Sequence, residues 1–475
     1  MSLRRPAAAR WPGRLLLGVA GLAVGLGVMG YLSRPRLVSQ SPPADARDVS
    51  PRARLSLTFD RPMQAASVEA ALQIQPALPG AFTWDASGQT LTFTPQQPWP
   101  LSSPVTVSLA GGRSQAGLPL LERHAWTFTI GLERIVFINA AGELASLSIV
   151  EGAAPLTLTH TPYGVAGFAL RPDGAQIVYA ERRADGGADL RAIAPDGSGA
   201  AGVLDCPDAA CLAPDFSADG RRLVYERQRP IPGAAGATAF GDPRVHLFDL
   251  ASGTDRVLGD PSNPARAPRW TPDGRVSFYD AARQAVVVLD ADSGAATYIP
   301  STSGEAGTFS PDGRSYVYPE ITFLENSITL TASLALTENV PVVVAGFYSH
   351  LLSVDIATNA VQNLSGAGVV EDASPVYSVR GDWLAFGRKA LSEAGWTPGR
   401  QLWQMRPDGS AARPLTDAPL YNHSAFAWSP DDQHLVFMRF NATDPTEPAE
   451  IWLINADGAG ARRLVTGGHS PEWLP

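Results

Sequence analysis

Lysine is almost missing from this chain of 475 residues: Lys389 is the only one, and arginine supplies the remaining side-chain positive charge. The formal net charge is −9, and no basic footprint marks a nucleic-acid partner. Cysteine is nearly as scarce. The two present, Cys206 and Cys211, lack the Cys-x-x-Cys spacing of redox centres, and without a nearby histidine they make a poor zinc site. They are read as a loop-pinning disulfide, with free thiols as the alternative. Enzyme signatures are missing too. There is no Gly-x-Ser-x-Gly elbow, His-Glu-x-x-His helix, P-loop or dinucleotide fingerprint. No catalytic residue, cofactor or metal is therefore assigned.

Long apolar runs are confined to the front. Residues 1–14 carry Arg4, Arg5, Arg10 and Arg14 with no acidic residue, and are read as a cytoplasmic segment. Leu15 to Leu32 then runs without a charge. At about 1.5 Å per residue it just spans a hydrocarbon core, so 15–32 is read as an uncleaved transmembrane anchor. A cleaved signal peptide is the alternative, but Val28-Met29-Gly30 makes a poor cleavage site. This orientation exports the bulk of the chain from a bacterial cell.

What is abundant is one repeated phrase: an apolar strand, a turn of the Ser-Pro-Asp-Gly type, and a second apolar strand. It occurs at Phe168–Tyr179, Phe216–Tyr225, Trp270–Tyr279, Phe309–Tyr318 and Trp428–Phe437, with a weaker copy at Tyr377–Phe386. Proline presets the first central turn position, aspartate bonds its own backbone and glycine supplies positive φ. Asp173, Asp219, Asp273, Asp312 and Asp431 are thus read as turn formers rather than a carboxylate motif. A second hairpin follows each copy, so every repeat reads as four antiparallel strands, one propeller blade. Ile135–Asn139, Leu144–Ile149 and Leu156–Thr159 lack a partner strand at their front, and Ser470–Pro475 begins a hairpin that stops. Pairing these remnants gives seven blades closed three-plus-one; six or eight are the alternatives.

These recurring hairpins resemble the PD40 repeats of the TolB-like β-propeller family over 132–475. The resemblance implies an all-β propeller that binds or scaffolds outside the cytoplasm, although the count of seven departs from the family's six. Residues 33–131 form a separate unit. Its phrases Leu55–Val68, Leu91–Trp99 and His124–Ile130 resemble the SbsA-type bacterial Ig-like domain (Big_5), which implies a β-sandwich acting as spacer or adhesion module.

Insertions interrupt the repeat on one side only. Gln228–Pro243, Glu320–His350, Ala390–Arg400 and Asn441–Glu450 all fall between second and third strands, opposite the Asp-Gly turns. Glu320–His350 is largely apolar, read as a hairpin or lid for a partner or as an extension packed on its own blade. His160, His423 and His469 fall in loops of the same face, with Glu371 and Asp372 among nearby acids. These are the ligand-face candidates. The expected function is an anchored extracytoplasmic protein that recognises an envelope protein, peptide or cell-wall glycan. The alternative is an envelope hydrolase or lyase at the channel mouth, whose dispersed residues would leave no motif.

Overall fold

The computed structural model describes residues 34–47, 49–231, 239–332, 340–392 and 395–475. Segments 1–14 and 15–32, read as cytoplasmic tail and anchor, lie outside these residues. Among the described residues, no helix is long and apolar enough to cross a membrane. The chain divides into two compact units, one ending at Gly131 and one spanning Leu132–Pro475.

In the first unit two antiparallel sheets enclose one core. One sheet runs Leu37–Ser41, Leu55–Phe59, Thr90–Pro95, Gly80–Trp84; the other runs Leu72–Gln75, Pro104–Leu109, His124–Thr129. Alternation sets the burial: Leu55, Leu57 and Phe59 point inward while Ser56 and Thr58 do not, and Val105, Val107 and Leu109 face them across the core. Two indoles crossing this core keep their polar ends satisfied. Trp99 Nε1 donates to the Ala53 carbonyl at 2.9 Å, and Trp126 Nε1 to that of Pro42 at 3.0 Å. Among the described residues of this unit a short helix, Ala65–Glu69, connects strands.

The second unit consists of antiparallel four-stranded sets. The first is Leu156–Thr157, Leu144–Ser148, Arg134–Ile138 and, from the far end of the sequence, His469–Trp473. The second runs Val165–Leu170, Ile177–Arg182, Ala188–Ile193, Ala201–Leu204. The third runs Ala210–Phe216, Arg222–Gln228, Arg244–Asp249, Asp255–Val257. The fourth is Ala265–Trp270, Val276–Asp280, Ala285–Leu289, Ala296–Pro300. In the fifth, Thr308–Phe309 is followed by the long pair Ser315–Ala332 and Val340–Asp355, then Val361–Asn363. The sixth is Val370–Tyr377, Leu384–Ala390, Gln401–Met405, Arg413–Pro414. The seventh is Tyr421–Trp428, His434–Asn441, Glu450–Asn455, Arg462–Thr466. Only single parallel bridges, Ala188 to Ala210 and Ser349 to Glu371, join the second set to the third and the fifth to the sixth.

The Asp-Gly turns are built by their own side chains. Ser310 Oγ donates to Asp312 Oδ1 at 2.6 Å, and that oxygen accepts from the Arg314 amide at 3.1 Å. Gly313, at φ +70°, donates back to the Ser310 carbonyl at 2.8 Å. Asp219 and Asp431 make the same bonds to Ser217 and Ser429. The repeated carboxylates are therefore consumed by the turns. Cys206 and Cys211 are disulfide-bonded and fully buried, closing the loop between the second and third sets.

Candidate functional site

The first strand of most sets carries a β-bulge. Register shifts between Leu212 and Asp215, Arg266 and Arg269, Ala373 and Val376, Ser424 and Ala427, and His469 and Glu472. Inside each bulge one non-glycine residue takes positive φ: Ala213 (47°), Ala267 (54°), Ser374 (53°), Ala425 (50°) and Ser470 (52°). The left-handed conformation is costly for these residues, and a bulge re-aims the side chain that follows it. Two residues on stand Asp215, Arg269, Val376, Ala427 and Glu472, each just before an aromatic residue.

Three of these positions are charged and act on one another, although they come from the third, fourth and first sets. Arg269 Nη1 stands 3.9 Å from Asp215 Oδ1, and Asp215 Oδ2 accepts the Trp270 amide at 2.7 Å. Asp215 keeps 25% of its side-chain surface. It nevertheless sits so deep among protein groups that burial raises its carboxyl above the usual range, against the pull of Arg269. Burial likewise pushes Glu472 up to about 7, with Arg269 opposing the rise and Asp215 adding to it. Two carboxyls thus share one guanidinium where the first strands converge.

Beside this trio a cavity of about 400 Å³ is lined by Asp215, Arg269, Trp270, Thr308, Phe309 and Tyr316, among others. It coincides with a shortened wall. Thr308–Phe309 is two residues long, whereas the other first strands have five to eight.

The histidine and acid candidates are placed differently. Asp372, fully buried, receives Arg388 through two bonds of 2.7 and 2.6 Å and Ser365 Oγ at 2.5 Å. Glu371 receives Arg400, whose carbonyl lies 2.8 Å from His423 Nδ1. Glu371 and His423 are therefore linked through Arg400 near the start of the sixth and seventh first strands, while Asp372, next to Glu371 in the chain, is held separately by Arg388 and Ser365. His423 is 1% exposed, and burial drops it to about 4, so it is neutral at physiological pH. The expectation that it sits in an open loop is corrected: its inward position in Tyr421–Trp428 encloses it, so it offers nothing to a surface ligand. His160 and His469 are exposed; His160 lies in the connection from the first set to the second, and His469 opens the closing strand. Among the described residues, no three His, Cys, Asp or Glu side chains are grouped to hold a metal ion.

Arg269 and Glu472 escape a reading centred on insertions. The signal for them is nonetheless written four times, as small–Pro–X–aromatic: Ala213–Phe216, Ala267–Trp270, Ser374–Tyr377 and Ser470–Trp473. The variable X is the residue that the bulge re-aims.

The bacterial Ig-like domain family (Big_5) matches residues 33–130. The "Tol-Pal system protein TolB" of Gluconobacter oxydans is 31% identical over 239 residues, which is 49% of this chain and 47% of that protein. The chain thus spans about half of that relative's length. An uncharacterized protein of Agrobacterium fabrum, Atu1656, is 24% identical over 49% of this chain and 88% of its own. Among solved structures, TolB from Acinetobacter baumannii aligns at TM-score 0.41 and 15% identity, covering 85% of this chain and 83% of that one. Residues 33–130 thus match a bacterial Ig-like domain, and about half of the chain is similar in sequence to a TolB protein.

Proposed function

We propose that this protein is held at the bacterial envelope by segment 15–32 and binds an envelope protein through the insertion-bearing face of its propeller. In this reading the sets are seven blades, and the strand His469–Trp473 closes the ring. The Ig-like domain acts as spacer or adhesion module. The buried Cys206–Cys211 disulfide suits an oxidising compartment outside the cytoplasm. The similarity to a protein named for the Tol-Pal system points the same way.

The observation that carries the reading is the one-sidedness of the insertions. The fifth set extends its second and third strands to 18 and 16 residues, where the same strands of the fourth have five each. At the described base of this hairpin Phe323 is 78% exposed, an apolar side chain left to solvent. The hydrolase or lyase alternative draws no support from His423, which is sealed in the core. The test is capture from the protein's own envelope extract by the exported portion, against a version lacking 320–350. Loss of captured protein with unchanged thermal unfolding supports the reading. An identical set of captured proteins refutes it.

A further inference from the structure

The cavity beside Asp215 and Arg269 has a fixed wall and unspent hydrogen-bonding capacity. The loop before Thr308–Phe309 is pressed against two tyrosines. A Cβ on Gly304 would lie 2.4 Å from the Tyr279 ring, and one on Gly307 would lie 2.3 Å from the Val317 carbonyl oxygen. Gly307 also donates its amide to Tyr316 Oη at 2.9 Å, and Tyr279 Oη bonds the Ser301 carbonyl at 3.3 Å. These contacts hold the aromatic lining in place.

The polar groups of the lining are only partly used. The Arg269 guanidinium has no hydrogen bond among the described residues, its one ion pair being the 3.9 Å approach to Asp215. Trp270 is the odd indole of its series. Trp428 Nε1 donates to Val376 O at 3.3 Å and Trp473 Nε1 to Ala427 O at 2.9 Å, each closing on the preceding set. Trp270 Nε1 is buried with no acceptor. Asp215 has Oδ1 left as an acceptor, and the Thr308 hydroxyl, which accepts from the Tyr377 amide at 3.5 Å, still has its proton to give.

Charge decides what fits. Arg222 over the Trp270 ring is paired with Asp292, and Arg266 over the Tyr279 ring is held by the Ser303 and Gly304 carbonyls, so an added anion would meet Asp215 with Arg269 left to offset both. An added cation would compete with Arg269 for Asp215. A neutral ligand that both donates and accepts, and that carries an apolar ring face for the half-buried Phe309, uses every free group without adding charge. We propose that this cavity is a saccharide subsite that takes the pyranose ring of an uncharged glycan. Its volume falls in the range of about 300–1,000 Å³ usual for small-molecule sites. The proposal deepens the envelope reading and rests on it for the source of the glycan.

Calorimetric titration of the full chain with chitotetraose, cellotetraose and tetragalacturonate tests it. Binding of either neutral sugar, weaker by about threefold to tenfold in W270F, is the expected result, since that change removes one donor and keeps the ring. T308W, which fills the cavity, should abolish the binding. W270F keeps the test decisive if T308W fails to fold. The proposal is overturned if neither neutral sugar binds, if tetragalacturonate binds more tightly than both, or if W270F binds like the parent. Protein capture on the insertion face is read separately, so these failures would leave the first reading intact.

Discussion

Replacing Glu472 with glutamine should change how the stability of the propeller depends on pH. The ordinary glutamic acid value is 4.5, and burial in the closing strand lifts Glu472 to about 7. Below the lower value the carboxyl is protonated whether the chain is folded or not, and its contribution is complete. As pH rises, the unfolded chain releases the proton while the folded chain retains it, so stability falls until the folded group also ionises. Each pH unit in that interval is worth about 1.4 kcal/mol, and the whole interval about 3 kcal/mol. Glu133, 8% exposed and near Asp431, is also raised to about 7, and burial raises Asp215 as well, so among the described residues the parent protein has three such contributions. E472Q removes one of them. Urea unfolding followed by tryptophan fluorescence at pH 5 and pH 8 should show the variant gaining on the parent by up to about 3 kcal/mol at the higher pH. Parallel pH curves for parent and variant would refute the argument, because they would mean that Glu472 ionises alike in both states.

Two further substitutions probe the packing around the sites. D372A leaves Arg388 without its partner in an interior position between Phe386 and Trp403. Thermal or urea unfolding should show a loss of about 3–5 kcal/mol, and a loss below about 1 kcal/mol would mean that the pair is dispensable. G307A drives a methyl group into the Val317 carbonyl oxygen and the Tyr316 ring. It should cost about 1–3 kcal/mol, and an unchanged midpoint would show that the loop yields easily.

The sequence was most legible where local chemistry and long-range packing demand the same residues. Pro, Asp and Gly at the turns can be read directly because each answers a local backbone requirement, as Ser310, Asp312 and Gly313 show. The strands of the Ig-like unit are legible because Leu55–Phe59 and Pro104–Leu109 alternate plainly between core and solvent. The candidate site was harder to see. A histidine between strands looks like a loop residue until the bulge at Ala425 and the inward phase of its strand bury it. Conversely, Asp215, Arg269 and Glu472 are separated by up to 257 positions in the chain (472 − 215), and nothing local links them. Only the convergence of first strands makes them one electrostatic unit.

The pairing of His469–Trp473 with Arg134–Ile138 also imposes an order on folding. The first set offers an unpaired edge at Arg134–Ile138 from the moment it forms until a strand more than 300 residues later arrives (469 − 134). Contacts of such long sequence separation form slowly, because the intervening chain must be drawn in before they stabilise anything. While the chain folds the early sets therefore wait, open on one side, for the last strand to arrive. Any strand-like peptide in the same compartment competes for that edge, and a holding chaperone that covers it would protect the chain from aggregation at its most exposed stage.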